Sequence, residues 1–148
     1  MHTLSVRIRR LHPSVPLPAY QTPGAAGFDL AASADVTVPP GAVALVPTGL
    51  VIEAPPGYFL GVFARSSTPL KRGLMVANGV GVVDGDYCGP HDEVKIAVVN
   101  FTAAPVDVRF GDRIAQGLFM PVARAEWREA TVDLREGSRG GFGATGER

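Results

Sequence analysis

Asp84, Asp86 and Tyr87 stand at the end of an apolar run, Gly79-Val80-Gly81-Val82-Val83. A carboxylate held rigidly at a strand end can orient and deprotonate a water molecule, and a ring beside it offers a flat face to a ligand. Asn78 and Gly79 suit a turn with positive φ angles, and Val80, Val82 and Val83 read as the strand that returns from it. The same residues also fit a plain acidic turn with Tyr87 as cover for the core. Taken alone the stretch leaves both readings open.

A second centre lies at Arg65-Ser66-Ser67. The segment Ser67-Thr68-Pro69-Leu70-Lys71-Arg72-Gly73 is the one convincing helix start. A hydroxyl residue for the cap, proline at the first helical position and glycine beyond the last turn predict about one and a half turns. Free N–H groups at such an end, the hydroxyls of Ser66 and Ser67 and the fork of Arg65 together suit a phosphate group. A simple cap with a surface arginine is the alternative.

The tail, Gly137 to Gly146, is too rich in glycine to bury an apolar face. It is expected to be mobile in the free protein and to order on what it binds. Arg139 offers a phosphate-pairing fork and Phe142 a stacking face, while the glycines let backbone N–H groups close around oxygens. No lysine follows them, so this is not a Walker loop. Gln116 lies in an apolar segment, Ile114 to Phe119, and must find a hydrogen-bond partner or cost about 1–3 kcal/mol. Asp29, in Gly27-Phe28-Asp29-Leu30, sits at a turn leading into a strand. Asp112 and Arg113 read as a structural pair.

The elements that must hold these residues are short and β-rich. Proline and glycine punctuate the chain every eight to twelve residues between β-branched stretches, and thirteen prolines argue against long helices. Strands are predicted at Val6–Ile8, Val36–Val38, Ala42–Val46, Leu50–Ala54, Tyr58–Phe63, Gly81–Val83, Val94–Asn100, Val106–Phe110 and Arg113–Pro121. Val94 to Val99 begins with alternation and ends apolar on both faces, as a strand entering a core or a subunit interface would. At 148 residues the chain is one domain's worth and buries enough surface to fold without disulfide or metal. Cys88 is the only cysteine, and His2, His12 and His91 show no ligand spacing. Fourteen basic against fourteen acidic residues argue against a general nucleic-acid binder. The start of the chain is not a signal peptide and no apolar run reaches membrane-spanning length, so a cytoplasmic protein is expected.

Five segments occur in a telling order: Ala25-Ala26-Gly27-Phe28-Asp29-Leu30, Ala64-Arg65-Ser66-Ser67-Thr68, Gly79 to Gly89, Gly111-Asp112-Arg113-Ile114-Ala115-Gln116, and Arg139 to Gly146. Together they resemble the motifs of the trimeric deoxyuridine triphosphatases, which cut dUTP to dUMP and pyrophosphate. The resemblance spans Leu17 to Gly146. It implies an all-β, distorted jelly-roll-like barrel with one short helix, a β domain over residues 1–136 and a flexible arm over 137–148, assembled as a homotrimer with shared active sites. It implies Asp84 as the catalytic base and Asp86 as a turn residue. Arg65, Ser66, Ser67, Gln116, Arg139 and Thr145 are implied on the phosphates, and Asn78, Gly81, Val83, Tyr87 and Phe142 on uracil and deoxyribose. Mg2+ is implied as cofactor, reached by Asp29 only through water.

The backbone from Asn78 to Val83 can pair with a uracil edge as a strand pairs with its neighbour, and cytosine presents the opposite pattern. Tyr87 lying on the sugar would exclude a 2′-hydroxyl. The expected role keeps uracil out of DNA and supplies dUMP. This chain departs from the family pattern in an insertion, Pro90-His91-Asp92, and in Cys88, where a basic residue is common. Ala144 stands where serine is frequent, with Thr145 retained as a donor. Arg139 lies close to Phe142, which leaves Arg135 as a stand-in. A dCTP deaminase and a non-catalytic nucleotide-binding trimer of the same superfamily are the alternatives.

Overall fold

The computed structural model describes residues 3–141. Among them the chain forms eleven strands and one helix, in the order β1 (Arg7–Arg10), β2 (Phe28–Ala31), β3 (Val36–Val38), β4 (Val43–Pro47), β5 (Leu50–Glu53), β6 (Tyr58–Ala64), α1 (Ser67–Arg72), β7 (Leu74–Val76), β8 (Gly81–Val83), β9 (Lys95–Asn100), β10 (Val106–Val108) and β11 (Arg113–Pro121). All pairings are antiparallel. The chain is all-β with one short helix, as its sequence rhythm predicts.

One sheet runs β2-β11-β6-β8 and a second runs β4-β9-β7, with the pairs β1-β5 and β10-β3 completing the wall. They enclose one apolar core in which Leu30, Leu60, Leu74, Ile96, Val98, Val108 and Ile114 are all fully buried. Each such side chain contributes about 1.5–3 kcal/mol by leaving water. In β2, β7 and β9 buried residues alternate with outward-facing ones, which are free for chemistry, whereas β5 and β6 each bury three residues in succession. No helix among the described residues is long and apolar enough to cross a membrane.

Two sequence expectations need correction. β2 and β7 were not foreseen, because four and three residues carry too little alternation to stand out. α1 starts earlier than the Pro69 signal suggests. Ser66 is its helical N-cap residue without a side-chain cap, and Thr68 instead donates its hydroxyl to the Ile114 carbonyl at 2.9 Å. Gly73 does close the helix in the left-handed region at φ 67°. β9 is apolar on both faces toward its end: Ile96 and Val98 are buried, while Ala97 and Val99 face outward beside exposed Val43, Leu45 and Met75.

β11 ends at Pro121, and the Val122 N–H still donates to the Gly57 carbonyl at 2.9 Å. Residues 123–141 are exposed throughout, including Trp127 at 90% and Leu134 at 91%.

Candidate active site

The outer face of the first sheet brings three of the predicted residues together. Register pairs Gln116 with Asp29 on one side and with Phe63 on the other, and Arg65 follows the end of β6. Arg65 Nε lies 2.8 Å from Asp29 Oδ1, and Arg113 Nη1 lies 3.0 Å from Asp29 Oδ2. The Arg65 guanidinium also donates to the Arg113 carbonyl at 3.1 Å. With a side chain only 12% exposed, Asp29 is a nearly buried carboxylate shared by two arginines, which fixes both cations on one face. Gln116 Nε2 donates to the Ala64 carbonyl at 2.9 Å, meeting the requirement that its place in an apolar segment imposed. Gly27 leaves the room it occupies, since a Cβ there would stand 2.8 Å from Gln116 Oε1. Exposed Ser66 and partly exposed Ser67 stand beside this group at the start of α1.

The expected Asp112–Arg113 pair does not form. Adjacent residues of an extended chain point opposite ways. Arg113 turns to Asp29, and Asp112 turns to α1, where Arg72 Nη1 lies 2.7 Å from Asp112 Oδ2. The hydrogen bond from Arg72 holds the Asp112 carboxyl below its ordinary value against the opposing effect of burial, and the Arg109 N–H adds to the lowering. A carboxylate with a lowered folded value stabilises the fold above the ordinary carboxylate range and loses that contribution as pH falls through the folded value. Asp112→Asn should therefore melt roughly 2–4 °C below the parent at pH 7. In thermal melts at descending pH the gap should narrow once pH falls below the ordinary carboxylate range and vanish in stronger acid; a gap that stays constant throughout would show that charge is not the cause.

The second group lies along β8. This strand pairs with β6 on one side only, so the backbone edge of Gly81–Val83 away from β6 carries no strand partner in the described chain. Gly79, at φ 71°, makes the tight turn before it, with the Val80 N–H donating to the Asn78 carbonyl at 2.8 Å. Asn78 is exposed. Past Val83, exposed Asp84, Gly85 and Asp86 form a turn closed by the Tyr87 N–H donating to the Asp84 carbonyl at 3.2 Å. Tyr87 is 43% exposed, and its phenol donates to the Glu93 carbonyl at 3.3 Å.

Within one chain the two groups stand apart. Val83 pairs with Leu60, whereas Arg65 lies beyond the far end of β6, so about six residues of strand separate the levels of Asp84 and Arg65. At about 3.3 Å per residue this is on the order of 20 Å. Arg135 and Arg139 are exposed. Phe142 and Thr145 lie outside the described residues. A cleft of about 1030 Å³ lies elsewhere: Leu4, Val6, Leu17, Tyr20 and Phe119 line it, and neither Asp84 nor Arg65 reaches it.

A family model described as dUTPase matches residues 14–146. The chain belongs to the dUTPase family. A deoxyuridine 5'-triphosphate nucleotidohydrolase of Desulfitobacterium hafniense (strain DSM 10664 / DCB-2) is 48% identical over 99% of both chains. One of Wolinella succinogenes is 41% identical, covering 97% of this chain and 95% of its own. Among solved structures, the dUTPase from Streptococcus mutans superposes with a TM-score of 0.75 at 34% identity, covering 84% of this chain and 100% of its own. A dUTPase of Staphylococcus bacteriophage 80alpha bound to dUpNHpp shares the fold with a TM-score of 0.83 at 20% identity, over 97% of this chain and 99% of its own.

Proposed function

We propose that this dUTPase-family chain hydrolyses dUTP to dUMP and pyrophosphate by in-line attack of water on the α-phosphorus, with Asp84 as the base that orients and deprotonates that water. The observation that carries this reading is the placement of Asp84 directly after β8, a strand whose free backbone edge is open to a base. The Asn78, Gly81 and Val83 backbone would then pair with uracil, and a mismatched pair with cytosine would cost about 1–3 kcal/mol per group. Tyr87 lies over the deoxyribose and excludes a 2′-hydroxyl. Asp86 serves the turn.

Arg65, Ser66, Ser67 and Gln116 are read as phosphate groups, with Asp29 and Arg113 holding the Arg65 fork in place. Charge fixed in advance where charge develops lowers the barrier without reorganisation at the moment of reaction. Residues 137–148 form the arm of this reading: Phe142 stacks on uracil, and Arg139, or Arg135 in its stead, joins Thr145 on the phosphates.

Magnesium fits this chain in one way only. Both Asp29 oxygens are engaged by guanidinium groups, and no group of three or more acidic, histidine or cysteine side chains able to hold a metal ion occurs among the described residues. Asp29 would meet the ion only through water, and the ion when bound would supply neutralisation of phosphate charge.

A homotrimer with shared sites accounts for two features of the single chain. Asp84 and Arg65 are too far apart to serve one α-phosphate from the same subunit. The outward face of β4-β9-β7 also leaves Val43 64% and Leu45 58% exposed, apolar surface that a cyclic oligomer would cover. The setting is read as cytoplasmic, where Cys88 stays a thiol.

Pyrophosphate and ammonia assays on pure protein with dUTP, dCTP, dTTP and UTP test the activity. Pyrophosphate from dUTP above all is expected. Ammonia from dCTP would indicate a deaminase, and no product from any would indicate a binding module. For the sugar, Tyr87→Ala should raise kcat/KM for UTP relative to dUTP by about tenfold, the scale of one lost discriminating contact, without admitting dCTP. An unchanged ratio would reduce Tyr87 to packing.

A further inference from the structure

The inserted loop Pro90–Asp92 separates Tyr87 from β9, yet the chain on its far side is knit tightly to the turn between β4 and β5. Glu93 Oε1 accepts the Gly49 N–H at 2.8 Å, and the Val94 N–H donates to the Leu50 carbonyl at 2.8 Å. Thr48, 1% exposed, donates its hydroxyl to the Val94 carbonyl at 2.5 Å. The turn is closely packed: Gly49 is at φ 68° and a Cβ there would stand 2.6 Å from Val15 Cγ2. Glu93 has a side chain only 17% exposed, and its own carbonyl is the acceptor for the Tyr87 phenol. One residue therefore joins this turn, through its side chain, to the Tyr87 ring, through its backbone.

The near side of the insertion is tied less firmly. The Gly89 N–H donates to Asp92 Oδ2 at 2.7 Å, and Arg9 Nη2 donates to the Pro90 carbonyl at 2.6 Å, both close to solvent. An insertion lengthens the loop and widens the range of positions open to its ends.

We propose that Glu93 is a positioning residue for sugar discrimination: its carboxylate, bound to the Gly49 N–H, fixes the Glu93 carbonyl that orients Tyr87, and thereby fixes how closely the ring approaches the 2′ position. The proposal rests on the reading of Tyr87 as the residue that faces deoxyribose. It assigns Glu93 no contact with substrate. Loss of the latch should loosen the ring and relax selectivity more than it slows dUTP hydrolysis.

Steady-state kcat/KM for dUTP and UTP should be measured for the parent, Glu93→Ala, Glu93→Gln and Tyr87→Ala. Glu93→Asp, which keeps the charge but draws the carboxylate back by one methylene, serves as a second test should the alanine variant fold poorly. Glu93→Ala and Glu93→Asp should raise the UTP to dUTP ratio by about threefold to tenfold, the scale of one hydrogen bond, with kcat for dUTP within about threefold of the parent. Glu93→Gln keeps an acceptor for Gly49 and should restore the parent ratio. In a Tyr87→Phe background, which lacks the phenol that meets Glu93, Glu93→Ala should change the ratio by less than it does in the parent. If Tyr87→Ala raises the ratio and neither Glu93→Ala nor Glu93→Asp does, the latch is overturned while the sugar reading stands. If Tyr87→Ala itself leaves the ratio unchanged, the sugar reading fails and the proposal with it.

Discussion

Asp84→Asn should keep dUTP binding within a few fold of the parent and lose at least about a hundredfold in hydrolysis, the lower end of what a positioned general base supplies. The amide is the same size and leaves the backbone of β8 and its free edge as they are, so affinity for the base and sugar should persist. Only the capacity to take a proton from water is removed. Asp86→Asn is the matched comparison. Both carboxylates are exposed and belong to the same turn, closed from Tyr87 to Asp84, but only Asp84 directly follows the strand end. Asp86→Asn should retain most of the rate. Binding by calorimetry with a non-hydrolysable dUTP analogue, beside single-turnover kinetics, separates the two effects; equal losses in both variants would remove Asp84 from its role.

The strands were legible where alternation ran long enough to be counted. Gly81–Val83, Val36–Val38 and Arg113–Pro121 fall where the sequence places them, and other strand ends shift by one or two residues. β2 was hidden because Asp29 and Ala31 are poor strand formers, and Phe28 and Leu30 alone make only one repeat of the pattern. Its strand character comes from β11, more than eighty positions away, whose backbone pairs with it. Chemistry-bearing residue types were visible, each with a plain structural alternative such as a turn or a cap, and their order along the chain carried the reading. Their partners were not visible. Arg113 beside Asp112 suggested a pair, and only the sheet register shows that Arg113 answers Asp29 and that Asp112 answers Arg72. Glu93 gave no signal for the same reason, since its partner Gly49 lies 44 positions earlier and offers only a backbone N–H.

The proposed division of the site between subunits would account for the separation of Asp84 and Arg65 along β6, and it predicts a recovery of activity from two inactive chains. Asp84→Asn lacks the base. Arg65→Ala lacks the phosphate fork but keeps Arg113 on Asp29, so the sheet face should survive. With Asp84 and Arg65 on the order of 20 Å apart along β6 in one chain, each site must draw them from different copies if the phosphate reading is right. Refolded together in equal amounts, the two variants should then regain about a quarter of the parent activity, because in random mixing one site in four pairs an intact Asp84 with an intact Arg65. A chain ending at Glu136, mixed with Asp84→Asn, extends the test to the arm: recovery places residues 137–148 and Asp84 of one site on different copies. Native mass measurement must confirm mixed trimers in each case. Mixed trimers that stay inactive would mean that each subunit completes its own site, and the long separation along β6 would then require Arg65 to act somewhere other than on the phosphates.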